Sequence, residues 1–450
     1  MDLERRELLV WSGAATAALA GEARAAPQIS ALGLDATQMG VRTGSNDDQS
    51  AALQLAINRA AAARIPLVLP PGIYRASALR LPSGARLVGI RDATRLVFGG
   101  GPSLLAAEHA KDVSIANLML DGGARPLPQN HGLVHFEDVR AMRIVDCAIL
   151  GSGGHGVRLA EVEGEIVGST ITDAADVAIL SSDAHGLSIR RNLIANAGNN
   201  GIQLLRRTQG HDGTHVLDNR IEDTRNRSGG SGQYGNAINA HRTGDVMVRG
   251  NLVRRCAFSG VRGNSAWNIQ IIGNTVHEAG ETALYSEFAF EGAVIANNIV
   301  DGAQTGVSVT NFNEGGRLAV VQGNIFRNLM ALTPNPRPDD LLGIGIYVEA
   351  DTAVTGNVVE SAQAAGIAVG WGGYLRDVAV TGNVVRKAAI GIAVSVVAGA
   401  RSTLISGNLV TGFERGAIVG MDHARPVTTD LSRDGAKLDP HLTINGNRVG

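Results

Sequence analysis

Val354-Thr-Gly-Asn-Val-Val359, Val380-Thr-Gly-Asn-Val-Val385 and Ile405-Ser-Gly-Asn-Leu-Val410 state one pattern three times, at spacings of 26 and 25 residues. An aliphatic–hydroxyl pair precedes the Gly-Asn step and an aliphatic pair follows it, and upstream the aliphatic residues alternate with others as short β-strands require. Working outward, thirteen segments align on this aliphatic–x–Gly–Asn–aliphatic core. The asparagine falls at Asn117, Asn192, Asn219, Asn251, Asn274, Asn298, Asn324, Asn357, Asn383, Asn408 and Asn447, and Cys147 and Ser169 fill the slot in two further segments. Twelve steps separate 117 from 447, a mean of 27.5 residues. A second unit follows about ten residues after most of these cores: Gly201-Ile-Gln-Leu, Gly260-Val-Arg-Gly, Gly306-Val-Ser-Val, Gly345-Ile-Tyr-Val, Gly366-Ile-Ala-Val and Gly391-Ile-Ala-Val. Each repeat thus holds two or three short strands joined by Gly/Asn turns, with no room for a helix. A fixed period in the twenties without helices predicts an all-β fold, a single-stranded right-handed parallel β-helix of about 13 coils. Stacked asparagines at one turn can bond their neighbours above and below and tolerate left-handed φ.

Composition agrees with one long domain of tight turns. Of 450 residues 44% are hydrophobic, 58 are Gly and only 4% are aromatic. With 40 basic and 42 acidic side chains the net charge is −2, which excludes the broad basic surface that nucleic-acid binding needs. The body has no apolar run of about 18 residues, so no membrane-spanning helix is expected after the leader. Cys147 and Cys256 lie about four coils apart, or nearly 20 Å at about 4.8 Å per coil, too far for a disulfide. They read as buried, inert residues.

The N-terminus has its own signals. Arg5-Arg6, an apolar stretch from Leu8 to Ala20, and Ala23-Arg24-Ala25 read as a twin-arginine-type export signal over residues 1–25. Cleavage there gives a periplasmic or secreted bacterial protein, with the twin-arginine export machinery as partner. Residues 26–100 read as an N-terminal cap. Ser45-Asn-Asp-Asp48 is a helix start, and Leu53, Ala56, Ile57 and Ala60 follow with helical spacing to cover the open end of the solenoid. The repeat domain then runs from 101 to 450.

Gly44-Ser-Asn-Asp-Asp-Gln-Ser-Ala-Ala-Leu-Gln-Leu-Ala-Ile57 with Val68-Leu-Pro-Pro-Gly-Ile-Tyr74 resembles the entry motif of pectate-lyase-like β-helix proteins. Over nearly its whole length the chain resembles a narrower family, the twin-arginine-translocated repeat proteins. That match is carried by Gly229-Gly-Ser-Gly-Gln-Tyr-Gly-Asn-Ala-Ile-Asn239, by Glu287-Phe-Ala-Phe-Glu-Gly-Ala-Val-Ile-Ala-Asn-Asn298 and by Ser308-Val-Thr-Asn-Phe-Asn-Glu-Gly-Gly-Arg317. The narrower resemblance implies fold and export and supplies no catalytic residues. The wider superfamily implies a polysaccharide or oligosaccharide ligand, by analogy of fold.

In the Gly-Ile-x-Leu strand the aliphatic positions point inward and the intervening residues outward. The outward positions form two columns. One runs Gln203, Asn239, Arg262, Tyr285, Ser308, Tyr347, and the other Leu205, His241, Asn264, Glu287, Thr310, Glu349. Later coils are bland, with Ala368, Gly370, Ala393 and Ser395. The long repeats insert residues 226–236 and 332–342 beside this stripe, as repeat proteins do when they build a groove.

Arg262, Tyr285, Glu287, His241 and Glu349 are the catalytic candidates. Gln203, Tyr234, Asn239, Asn264, Asn311, Glu314, Arg317 and Tyr347 are the substrate-binding candidates. Glu287 and Glu349, two coils and so about 9.6 Å apart, sit at the upper edge of an inverting glycosidase pair. Arg262 beside Tyr285 suits proton abstraction next to a uronate carboxylate, as in a lyase or epimerase, and His241 is a base or acid in either scheme. The competing reading is a non-catalytic envelope protein that binds glycan along the same face or acts as a rigid spacer. Exposed polar side chains on a sheet are ordinarily just solvated. No metal-ligand spacing and no cofactor motif appears. Gly151-Ser-Gly-Gly-His-Gly156 matches a dinucleotide fingerprint but opens no helix. Homo-oligomerisation, common among β-helices, is left open.

Overall fold

The computed structural model describes residues 29–30, 33–332, 340–433 and 439–450; the export-signal segment lies outside them. The chain winds as a parallel β-helix of about 14 turns, three strands to a turn, its strands pairing in parallel one turn apart except for an antiparallel pair near each end, Ile29–Ser30 with Gly33–Asp35 and Leu409–Asp422 with Arg425–Asp430. The first sheet starts at Gly33–Asp35 and passes through Leu67–Val68 and Arg86–Val88 to Leu442–Asn445. The second starts at Gly72–Ala76 and the third at Leu79–Arg80. Inward positions form continuous aliphatic stacks. In the first sheet Leu34, Leu67, Leu87, Ile115, Ile144 and Ile166 are register partners in turn, all buried. Every rung adds one more layer of branched side chains to a single core, and burial of this apolar surface is the main driving force for winding.

The corner between the first and second sheets carries the asparagines. From Asn192 to Asn447 each backbone N–H donates to the Oδ1 of the next asparagine at 2.8–3.0 Å, and each Nδ2 donates to that same oxygen at 2.9–3.0 Å. The second Nδ2 hydrogen goes to a carbonyl of the preceding turn, as from Asn298 to Ile271 at 2.9 Å. All four groups are therefore satisfied in a dry interior. Ser169 and Cys147 continue the slot as expected: the N–H of Ser169 donates to Asn192 Oδ1, and that of Cys147 to Ser169 Oγ.

Asn117 corrects the expectation. It sits one residue early, at φ 56°, and Leu118 occupies the slot, its carbonyl accepting from the N–H of Ala148 as that of Cys147 accepts from Thr170. The Gly-before-Asn step explains the slip, because the residue ahead of the slot takes the left-handed turn and Asn tolerates it as glycine does. Both cysteines are free and buried, and burial pushes each thiol up to about 12.

The N-terminal helix is Ser50–Ala63, two residues beyond the Ser45–Asp48 start read from the sequence. Gln49 is the N-cap, and Asp48 closes the turn ahead of it, its Oδ1 accepting from the N–H of Ser50 at 2.7 Å. Leu53, Ala56, Ile57 and Ala60 are all buried against the first turns. Among the described residues no helix is long and apolar enough to cross a membrane.

Candidate functional site

The third sheet carries the polar columns, and their register is the one the strand pattern predicts. Gln203, Asn239, Arg262, Tyr285, Ser308 and Tyr347 are successive partners, followed by the bland Ala368 and Ala393. Leu205, His241, Asn264 and Glu287 are partners in the neighbouring column. What differs is exposure. Arg262 is 8% exposed, Glu287 3%, Glu349 7% and Asn239 4%, although all point away from the helix core. The inserted segment 226–236 folds over Asn239 and Arg262. Gln233 gives its carbonyl to both Asn200 Nδ2 and Asn239 Nδ2, at 3.0 and 3.1 Å, and Gly232 (φ 128°) packs so tightly on the Arg262 guanidinium that a Cβ would overlap it. The stripe is thus a covered cleft, and the expectation of ordinary solvated side chains fails there.

Within the cleft Arg262, Asn264 and Glu287 form one cluster. Arg262 Nε donates to Glu287 Oε1 at 2.5 Å and Asn264 Nδ2 to the same oxygen at 3.0 Å, while the guanidinium lies 5.7 Å from the centre of the Tyr285 ring. Removing both charges from water is tolerable because each compensates the other. Arg262 Nη1 and Asn239 Oδ1 nevertheless have no partner.

Two rungs further on, Glu349 accepts from the N–H of Phe312 at 2.7 Å and from the Tyr347 hydroxyl at 3.2 Å. Burial pushes the Glu349 carboxyl above its usual range, with those donors pulling back. Burial also raises Tyr285 and Tyr347. At the border of the cleft, burial and then Arg242 hold His241 below the usual histidine range.

Between these two carboxylate clusters lies a pocket of about 260 Å³. Tyr285, Ser308 and Tyr347 form its floor. Thr282, Thr305 and Thr310 supply hydroxyls, Leu341 and Leu342 come from the inserted segment, and Trp371 closes one side. Tyr347 meets Trp371 edge-on at 6.5 Å, and Trp371 meets His423 edge-on at 5.3 Å. Phe312 packs between Tyr374 at 6.4 Å and the Arg376 guanidinium at 4.3 Å. An aromatic wall over a hydroxyl-rich floor presents apolar faces and hydrogen-bonding groups together.

The structure gathers Gln203, Asn239, Arg262, Asn264, Tyr285, Glu287, Tyr347 and Glu349 along one cleft, with His241 at its border. Tyr234, half-buried, belongs to the covering segment. Asn311 serves the turn, its Oδ1 accepting from the N–H of Phe288 at 3.2 Å. Arg317 lies on the first sheet, where it pairs with Glu291 at 2.6 Å, and Glu314 is exposed in the short turn Phe312–Glu314; neither lines the pocket. Sequence reading missed Trp371, Thr282, Thr305 and Leu341. For Trp371 a signal existed, the aromatic-bearing turn Trp371-Gly-Gly-Tyr374 directly after a bland strand. Among the described residues no group of three or more His, Cys, Asp or Glu side chains is arranged to hold a metal ion.

The family description "right handed beta helix region" matches residues 108–232 and 208–385, most of the repeat domain. The chain belongs to this right-handed β-helix family. No curated protein matches it in sequence. Among solved structures, the pre-mature gene product 12 of bacteriophage phi29 is similar with TM-score 0.51 and 14% identity, covering 86% of this chain and 55% of the other. The chain therefore spans about half the length of that protein. Tailspike protein 3 of bacteriophage CBA120 is similar with TM-score 0.50 and 11% identity, covering 92% and 61%. The A-module of the mannuronan C-5 epimerase AlgE4 of Azotobacter vinelandii gives TM-score 0.48 and 14% identity, covering 92% and 100%. At these identities the likeness is one of fold alone.

Proposed function

We propose that this β-helix is a polysaccharide-active protein that lays a glycan along the covered cleft of the third sheet and acts on it at the Tyr285–Tyr347 pocket. The observation that carries the reading is the pocket itself: edge-on aromatics beside hydroxyls, with the buried carboxylates Glu287 and Glu349 nearby in different environments. Glu287 is paired with Arg262, while burial pushes the Glu349 carboxyl above its usual range. An ion-paired carboxylate together with a carboxyl raised by burial is an arrangement that a base and an acid can use. Two rungs separate them by about 9.6 Å, within reach of an inverting pair. Tyr347 links Glu349 to the pocket, so a proton delivered to a glycosidic oxygen leaves from the Tyr347 hydroxyl and is replaced from Glu349. Arg262, a guanidinium with donors only, is better suited to neutralising an acidic sugar than to abstracting its proton, so hydrolysis is favoured here over elimination or epimerisation.

A second reading has its own support. Both carboxylates are already bonded within the protein and neither lines the pocket, which suits a protein that binds glycan without turnover. A panel of uronate-containing and neutral glycans, scored for new reducing ends, unsaturated products and binding, separates the two. Products abolished by Glu349→Gln support the enzyme; tight binding without any product rules it out. We further propose export by the twin-arginine route, as for the twin-arginine-translocated repeat proteins the chain resembles. Replacing Arg5-Arg6 by two lysines should then retain the protein inside the cell.

A further inference from the structure

The outward column of the third sheet does not begin at Gln203. Followed toward the N-terminus it runs through Leu180 to Arg158 and His135, which are register partners on adjacent rungs. Arg158 sits in Gly156-Val-Arg-Leu159, the same unit as Gly260-Val-Arg-Gly263 that places Arg262. The His131 ring lies 4.8 Å from that of His135, and buried His155 holds its Nδ1 toward the N–H of Val177 at 3.3 Å.

Two buried ring and guanidinium nitrogens at the centre of this group have no partner. Arg158 folds its Nη1 back onto the carbonyl of Leu159, its Nε is buried without a partner, and among the described residues no carboxylate lies within ion-pairing distance of it. His135 Nδ1 is likewise buried and unpartnered. The carboxylates facing the group are Glu108 and Glu137 on the neighbouring column, Asp183 and Asp176. Arg207 bonds Asp183 at 2.9 Å and Asn199 bonds Asp176 at 2.5 Å. Burial, then His131 and Arg158, hold His135 down to about 4. A half-buried guanidinium without a counter-ion is costly, and a planar donor fork beside an open imidazole matches an oxyanion.

The geometry points to a second subsite, in which His135 and Arg158, with His131 at the edge, take an oxyanion substituent of a sugar polymer, a carboxylate or a sulfate ester. This rests on the proposed glycan function and extends it. Arg158 and Tyr285 are five rungs apart, about 24 Å, so only a polymer covers both places, and linked subsites favour long chains over short ones.

Calorimetric titration of the full chain with length series tests this, using oligogalacturonates, a sulfated galactan series and neutral galactans, for the unaltered protein and Arg158→Met. Short oligomers should bind both proteins alike. Long chains of one anionic series should bind the unaltered protein at least tenfold more tightly than the neutral series, more so at pH 5 than at pH 7 because a bound anion favours proton uptake by His135. Arg158→Met should erase that advantage, and Arg158→Lys should restore part of it. The anionic series that gains identifies the substituent. Equal affinity of charged and neutral chains, or an advantage that survives Arg158→Met, overturns the subsite. Tyr347→Ala separates the two ideas: short-chain binding that ignores it removes the pocket reading whatever Arg158 shows.

Discussion

Two columns of buried polar side chains run along this helix, and they are built on opposite terms. At the corner between the first and second sheets the asparagines repeat one residue, one geometry and one set of bonds, with nothing left over. On the outer face of the third sheet the residue changes at almost every rung, and donors and acceptors remain open at His135, Arg158, Asn239 and Arg262. Both columns hold buried members, such as Asn298 and Glu287, so burial by itself does not tell them apart. Saturation does. A polar column whose every group is satisfied within the chain holds the fold, whereas one that keeps unpaired groups under cover is arranged for something that arrives from outside.

The sharpest way to break this contrast is through the ion pair. Glu287→Ala leaves the Arg262 guanidinium buried and uncompensated and should cost about 3–5 kcal/mol in chemical denaturation. The double replacement Arg262→Met with Glu287→Leu should recover most of that loss while glycan affinity disappears. Recovery of both stability and affinity would show the pair to be merely structural.

At the corner, Asn298→Ala strips the acceptor from the N–H and Nδ2 of Asn274 and the donor from the Ile271 carbonyl. It should destabilise by about 2–3 kcal/mol, as buried groups left unsatisfied do, with glycan affinity of the folded protein unchanged. Next, Trp371→Ala should weaken glycan binding by roughly tenfold or more, the scale of one lost stacking contact in a buried site, with little change in the unfolding midpoint.

A pH scan gives a smaller signal. His135 has a folded-state value below its unfolded one, so acidification protonates the unfolded chain first. Stability should therefore fall between about pH 6.5 and 4, and His135→Phe should flatten part of that slope. Smallest of all, Arg317→Ala removes an exposed pair with Glu291 and should stay within about 0.5 kcal/mol, with affinity unaltered.

Much of this was legible in the residues. Alternation places a side chain inside or outside, and the Gly-Ile-x-Leu unit therefore predicted which residues are register partners from Gln203 to Tyr347. The same unit at Gly156-Val-Arg-Leu159 was open to the same reading, and the polar column could have been followed to Arg158. What periodicity cannot convey is the path of an insertion. Nothing in the composition of residues 226–236 says that Gly232 will press on Arg262, so Arg262 and Glu287 were expected in solvent. Trp371 was hidden for a related reason: its strand is bland, and only the turn that follows carries it back over Tyr347. Asn117 shows the limit in the other direction, where an asparagine one place out of register still looks like part of the series.

The asparagine corner also bears on how such a protein can change over time. Steps of 23 residues, from Asn251 to Asn274, and of 39, from Asn408 to Asn447, close with the same backbone-to-amide contact, 3.0 and 2.9 Å. The corner works as a datum line: wherever the chain wanders in between, it is returned to a common origin before the next turn begins. Lineages are thereby free to lengthen one coil and shorten another without disturbing the pitch, and the specificity of the cleft can be rewritten by indels while the scaffold beneath it stays the same.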